Sequence, residues 1–328
     1  MTNRKYLIDE VIENYIHNVS LARSVNTART YKNAMQLFRY VLENNELPPS
    51  KTPINKIEEI SISWMATALK NYSPATERLY LTATAGFFDF IYSENLAKPN
   101  LSRIRQLIRQ RSRRYGQRLP QFPREDIEKV LDYAQSLPSY NVDNNQDMLR
   151  NFRDRAFLLL LADTGLRVHE ACNLQRGDID WNEGKAIIIG KGNQQSVIRF
   201  SRRSINALRD YINFRSKLDG ASGRPLSALP LFARHDRGAG KKVLPITTTT
   251  GRNIVSQRVS ESLGEEANGL ITPHSFRHYF VTTILRGSGG NIKLAQELAR
   301  HKSISVTQRY AHLSDEELDQ GYWDIFDQ

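Results

Sequence analysis

Residues 95–124 contain no Asp or Glu, while Lys98, Arg103, Arg105, Arg109, Arg111, Arg113, Arg114, Arg118 and Arg124 supply nine positive charges. The chain changes character across this run. Before it the apolar spacing is helical throughout, and after it helical and extended patterns are mixed. With 328 residues, at roughly 100–200 residues per domain, two domains are expected. A charge run is often a solvated linker, but one dominated by arginine suits paired hydrogen bonds to phosphates. Nucleic-acid contact is therefore expected of it.

Lys and Arg outnumber Asp and Glu by 46 to 35, and the net charge is +11. Such a balance favours a polyanionic partner. The longest strongly apolar stretch, residues 156–162, is far short of the roughly 18 residues a membrane span needs. The opening Met1-Thr2-Asn3-Arg4 leads into no signal-peptide core. A soluble cytoplasmic protein with no membrane partner is expected. The single cysteine, Cys172, can form neither an internal disulfide nor a cysteine zinc site, and its surroundings predict a buried, inert thiol.

In the first part, Ile8, Ile12, Tyr15 and Val19 predict one helix. Asn26-Thr27 would cap a second, carrying Ala28, Tyr31, Met35, Phe38 and Leu42 at spacings of three and four. A shorter helix is expected over 61–70. Ser73-Pro74 forms a cap and first-turn pair ahead of Tyr80, Ala83, Phe87 and Ile91. These four helices carry no catalytic constellation.

After Pro120 a strongly apolar helix over 150–162 is broken by Thr164-Gly165, and another starts near Arg167. Residues 186–189 and 196–200 predict a β-hairpin with Lys191 at its tip. Further helices are expected over 204–217 and 252–263, from Thr272-Pro273 to just before Gly287, over 293–300 and over 305–310. Ser314 and Glu317 form a capping box for a last, acidic helix.

His274 and Arg277 lie three residues apart on one helix face, so their side chains project to the same place. His274 and His278, at i and i+4, could share a metal ion, but no acidic residue or cysteine stands ready as a third ligand. The other reading, a cationic pocket for a phosphate, is preferred, without a metal.

Thr164-Gly165-Leu166-Arg167-Val168-His169-Glu170, the hairpin Lys191, Pro273-His274-Ser275-Phe276-Arg277-His278, and the stretch from Glu297-Leu298-Ala299-Arg300-His301 to Tyr310-Ala311-His312 together resemble the boxes of the tyrosine recombinase (integrase) family. They occur in the family's order and spacing, and the resemblance covers nearly the whole chain. It implies a mainly α fold with a small β-sheet: a four-helix, SAM-like core-binding domain over 1–95, a basic interdomain linker over 96–121, an α+β catalytic domain over 122–313 and a C-terminal interaction helix over 314–328. The two domains would form a clamp around duplex DNA, with Arg103, Arg105, Arg109, Arg111, Arg113, Arg114 and Arg118 on its backbone. Arg167, Lys191, His274, Arg277, His301 and Tyr310 match the family's catalytic positions. Glu170 and His278 would support them, Glu170 by orienting a neighbouring side chain and His278 by packing. Two positions depart from the pattern. Phe276 holds the usual leucine place, a tolerable packing change. Arg300 stands where the family usually has Gly, and would either add a phosphate contact or alter the local backbone.

The residue chemistry fits metal-free phosphodiester cleavage. Arg167 and Arg277 can each fork onto a phosphate and stay charged at physiological pH. His274 suits a phosphate contact and a role in removing the tyrosine proton, and His301 suits a non-bridging oxygen. Tyr310, with an ordinary pKa of about 10, needs such a pocket to attack. A 3′-phosphotyrosyl intermediate would conserve the bond energy, so neither ATP nor any other cofactor is expected. Lys191 would protonate the leaving 5′ oxygen.

With the first helix starting near residue 6, no room is expected for the arm-binding domain of lambda-type integrases, which points to a simpler Xer- or Cre-like enzyme, or to the integrase of a mobile element that binds only a core site, acting on inverted-repeat core sites in the nucleoid. Resolving, telomere-forming or topoisomerase-like enzymes and a non-cutting DNA-binding regulator are the alternatives. In the tail, Leu318, Tyr322, Ile325 and Phe326, with Trp323 alongside, form an apolar stripe needing a partner surface. That surface would be its own catalytic domain or, as the resemblance favours, the next protomer of a DNA-bound tetramer.

Overall fold

A computed structural model describes residues 6–113, 123–139, 144–189, 195–308 and 310. The chain forms two compact units, residues 1–118 and 119–328.

The first unit is helical: α1 (Ile8–Ala22), α2 (Val25–Glu43), α3 (Ile60–Ala68), α4 (Pro74–Ser93) and α5 (Leu101–Arg111). The expected apolar stripes become its core, with Ile8, Ile12, Met35, Phe38, Phe87 and Phe88 fully buried. The α2 cap is Ser24 rather than Asn26-Thr27. Ser24 lies in extended backbone, where its hydroxyl accepts from the Thr27 amide. Ser73 caps α4 in the same way, with Pro74 in the first turn. Tyr15 reaches across from α1 to donate to the Ala83 carbonyl at 2.9 Å. A Cβ at Gly86 would stand 2.5 Å from that hydroxyl, so this crossing needs glycine.

The fifth helix corrects the reading of 96–121 as a linker. Asn100 caps it by accepting from the Arg103 amide, Ile104 is buried, and Leu101, Leu107 and Ile108 pack on the same core. Burying one isoleucine contributes about 2 kcal/mol, enough to hold an amphipathic segment down despite its charge. Past the helix end, Arg113 is tied to the buried Glu77: its Nε donates at 2.5 Å and its backbone amide at 3.0 Å. Lys70 joins the same carboxylate at 2.8 Å. Residues up to Arg113 thus belong to the first unit.

The second unit comprises α6 (Arg124–Ser136), α7 (Asn145–Thr164), α8 (Val168–Asn173), strands β1 (Ile179–Asp180), β2 (Lys185–Ile189) and β3 (Gln195–Arg199), then α9 (Arg202–Gly220), α10 (Thr248–Leu263), α11 (Pro273–Gly287), α12 (Ile292–Ala299) and α13 (Ile304–Gln308). Helix α6 was not anticipated, although Ile127, Val130, Leu131 and Ala134 give it a buried face. The apolar segment 156–162 makes α7 the hub, packed by α6, α9 and α11. The expected hairpin is present, with Ala186 opposite Ile198 and Ile188 opposite Ser196. Ala186, Ile188 and Ile198 are buried while Ile187 and Val197 are exposed, the alternation of a sheet with one covered face. The short β1 completes an antiparallel order β1-β2-β3. The hairpin tip with Lys191, and residues 311–328, lie outside the described residues. Cys172 is buried, its thiol pushed up to about 11 by burial, in accord with an inert core thiol.

A polar knot locks α9 into this unit. The fully buried Arg215 donates to Asp219 (2.8 Å), to the Tyr211 hydroxyl (3.0 Å) and to the carbonyls of Leu231 (3.0 Å) and Pro230 (2.9 Å). Arg176 takes the other Asp219 oxygen at 2.6 Å. The Tyr211 hydroxyl also lies 2.8 Å from His235 Nε2.

Candidate active site

Helix α7 stops at Gly165, whose φ of 58° is left-handed. A Cβ there would stand 2.4 Å from the Phe280 ring, so the position requires glycine for both conformation and space. This stop turns the chain so that Arg167 caps α8. Glu170, one turn on, accepts the Arg167 backbone amide on Oε2 and the Arg167 guanidinium on Oε1, each at 2.9 Å. The carboxylate is buried and Arg167 is half-exposed, as a group that is oriented from behind and presented in front must be.

Pro273 opens α11, and the Thr272 amide donates to Ser275 Oγ at 3.1 Å. One turn later Arg277 is buried and donates to the carbonyls of Gly165 and Ala299. It thereby joins the end of α7 to the end of α12. His274 and His278 stand edge-on, ring centroids 4.4 Å apart.

After α12 the chain turns through Arg300. The His301 amide donates to the Gln296 carbonyl at 3.0 Å, and Gln296 Nε2 returns a bond to the His301 carbonyl at 3.1 Å. His301 Nδ1 lies 2.9 Å from the Thr307 hydroxyl. Thr307 is buried and was not singled out from sequence. When its hydroxyl donates, Nε2 carries the ring proton and can donate to an anion. The Tyr310 amide donates to the Thr307 carbonyl at 2.9 Å. The Tyr310 hydroxyl lies 3.1 Å from His278 Nε2, and its ring faces His301 at 6.3 Å, 19° from parallel.

The electrostatics follow from burial beneath clustered arginines. Burial, then His274 and Arg277, hold His278 down at about 4. Burial, then Arg277 and Arg167, bring His301 to about 4, and the same causes lower His274. All three rings are therefore neutral at neutral pH. Arg277 is lowered to about 10 by burial and by Arg167 and Arg300, and stays charged. Burial works to raise the Glu170 carboxyl, but Arg300 and Arg167 outweigh it and hold it below the usual range.

Arg167, Glu170, His274, Arg277, His278, His301 and Tyr310 thus converge, although they span residues 167–310. Among the expected basic-run contacts, Arg103, Arg105, Arg109 and Arg111 lie on α5. Arg113 is committed to Glu77 and to the Tyr72 carbonyl, because a buried carboxylate must be paired. Arg114, Arg118 and Lys191 fall outside the described residues.

The family model described as "Phage integrase family" matches residues 123–317, more than half of the chain. The chain belongs to this family of tyrosine recombinases. The recombinase is 30% identical over 321 residues to the tyrosine recombinase XerC of Treponema denticola, covering 96% of this chain and 98% of the relative. It is 28% identical to the XerC of Thermodesulfovibrio yellowstonii, covering 95% and 93%. Among solved structures it shares its fold with the Tn1549 transposon integrase in complex with transposon right end DNA (TM-score 0.68, 18% identity, 98% and 100% coverage). The XerH site-specific recombinase bound to palindromic difH substrate is similar (TM-score 0.67, 17% identity, 97% and 84% coverage). The mainly helical fold with one small antiparallel sheet accords with the sequence reading, as does the enzyme class: tyrosine recombinases break and rejoin DNA through a tyrosine nucleophile. No helix among the described residues is long and apolar enough to cross a membrane.

Proposed function

We propose that this recombinase cuts duplex DNA at inverted-repeat core sites with Tyr310 as nucleophile, and rejoins it through a Holliday junction within a tetramer. The observation that carries the reading is the Tyr310 hydroxyl, 3.1 Å from the neutral Nε2 of His278, in a pocket whose free charge is cationic. The hydroxyl gives its proton to an imidazole as its oxygen bonds to phosphorus. His278 is the ring within reach, a more direct part than the packing role expected for it, with His274 edge-on against it. Arg167, Arg277 and His301 take up the charge that grows on the non-bridging oxygens. The bond from phosphorus to the 5′ oxygen breaks, and that oxygen takes a proton, for which Lys191 is the proposed donor. A 5′ hydroxyl from another strand reverses the sequence, releasing Tyr310 and restoring the phosphodiester with no cofactor or metal in the scheme.

The first unit, with the cations of α5, would hold the duplex in the nucleoid alongside the catalytic unit. Residues 314–328 would dock on a neighbouring protomer. Incubation with a nicked duplex carrying a candidate site tests the chemistry: a denaturation-resistant adduct is expected at Tyr310 and none with Tyr310→Phe, while an adduct persisting at another tyrosine overturns the assignment. Truncation after Ser314 tests the assembly. Protomer binding should persist and recombination fall, whereas unaltered tetramer assembly and product yield would refute docking in trans.

A further inference from the structure

Arg300 adopts φ 57°, ψ 45°, a left-handed conformation that glycine enters freely and an arginine enters only against steric resistance. Its side chain is nine-tenths buried, with Nη2 at 3.2 Å from Glu170 Oε2 and 3.5 Å from the Gly165 carbonyl. Its Nε has no hydrogen-bond partner among the described residues. A residue held in an unfavourable backbone conformation, with a buried charge and an unpaired donor, is a poor choice for stability alone. Its surroundings indicate what it serves. Glu170 is the carboxylate that orients Arg167, and alone it would cancel one of the two charges that Arg167 and Arg277 bring to the pocket. The guanidinium of Arg300 engages Glu170 Oε2 and shares the Gly165 carbonyl with Arg277.

We propose that Arg300 is a positioning residue for strand cleavage: it holds Glu170 against Arg167 and offsets its charge, leaving two net cations among the described residues for the phosphate. Two positive charges match the two negative charges of a five-coordinate phosphorus transition state, so the benefit falls on the chemical step more than on DNA affinity. The inference rests on the reading of the pocket given above.

Arg300→Gly relieves the backbone while removing the charge, so a structural role and a functional one predict opposite results. In single-turnover cleavage of the nicked duplex, Arg300→Gly should cut at least about tenfold more slowly, with unchanged DNA affinity and a melting temperature equal to or above that of the unaltered protein. Arg300→Lys, which keeps the charge, should recover most of the rate. Wild-type cleavage by Arg300→Gly would overturn the proposal, as would parallel losses of melting temperature and rate in both variants. A second readout is independent of cutting. The His301 ring is faced by Arg167, Arg277, Arg300, His278, the Thr307 hydroxyl and Tyr310, and its titration can be followed by NMR in the DNA-free protein. Arg300→Gly should move that titration upward, and an unmoved titration would overturn the proposal. Absence of any adduct with the unaltered protein would instead refute the assignment of Tyr310 and leave the titration to decide on Arg300.

Discussion

The second unit contains two buried clusters built from the same parts: arginines, one carboxylate, histidine and tyrosine. Around Arg215 every guanidinium nitrogen has a partner, in Asp219, Tyr211 and two backbone carbonyls. Around Glu170, three guanidinium groups converge on one carboxylate and its neighbouring carbonyls, and Arg300 keeps a donor unpaired. Both clusters contain a tyrosine hydroxyl against an imidazole Nε2, at 2.8 Å for Tyr211 with His235 and 3.1 Å for Tyr310 with His278. Residue type therefore does not separate scaffold from site. Saturation does: a fully bonded polar cluster fixes one conformation, whereas an under-bonded cationic one retains free energy of interaction for an anion.

The comparison is broken most sharply by exchanging one arginine in each cluster. Arg215→Met should destabilise the protein by about 3–5 kcal/mol, because Asp219 loses a partner in the core; chemical denaturation measures this. Arg277→Lys should cost less stability than Arg215→Met, since an ammonium keeps the charge but can hold only part of the clamp on the Gly165 and Ala299 carbonyls. It should nonetheless lower single-turnover cleavage on the order of 10²–10³-fold, since an ammonium cannot reproduce the fork. Near-normal cleavage by that variant would remove Arg277 from the site.

Acid should separate the clusters next. His235 is lowered to about 3 by burial and by Arg153, Arg215 and Arg150. Unfolded histidine, with an ordinary value near 6.5, binds the proton that this folded one refuses. Stability should therefore fall as pH drops below about 6.5 and continue to fall toward 3, by about 1.4 kcal/mol per pH unit for each such ring. Substituting His235→Gln should flatten that slope, as unfolding across the pH range will show. In the DNA-free protein the His278 ring should stay neutral until pH nears about 4, which NMR titration measures. A ring titrating near 6.5 there would remove the neutral acceptor on which the assignment of His278 rests.

The smallest effects concern the basic run, which repeats the contrast at the surface. Arg103, Arg109 and Arg111 exchanged for Gln should each reduce the salt slope of DNA binding by roughly 0.9 if each contacts one phosphate. Arg113→Gln should leave the slope unchanged and instead loosen the first unit, as seen in its thermal unfolding.

Much of this could be read from local pattern. The stripes of α1, α2 and α4, the Ser73-Pro74 start, the hairpin and the start of α11 at Thr272-Pro273 depend on periodicity and caps, which a short window of residues contains. The candidate site residues could be named from their types and order. What the chain alone left open depended on partners remote in sequence. Residues 101–111 are a packed helix because Ile104 finds a core, and Arg113 is withdrawn from the expected DNA contacts because Glu77, 36 residues earlier, is buried beneath it. Thr307 sets the His301 ring only once α12 and α13 are folded together, and His278 meets Tyr310 across 32 residues. Arg300 was visible as a departure, but its left-handed backbone and its hold on Glu170 were not. Sequence determined which segments could form elements and which chemistry the chain carries, because those follow from local sterics and side-chain type. Tertiary structure decided which charges are spent on the fold and which remain for a ligand, because that depends on who is buried beside whom.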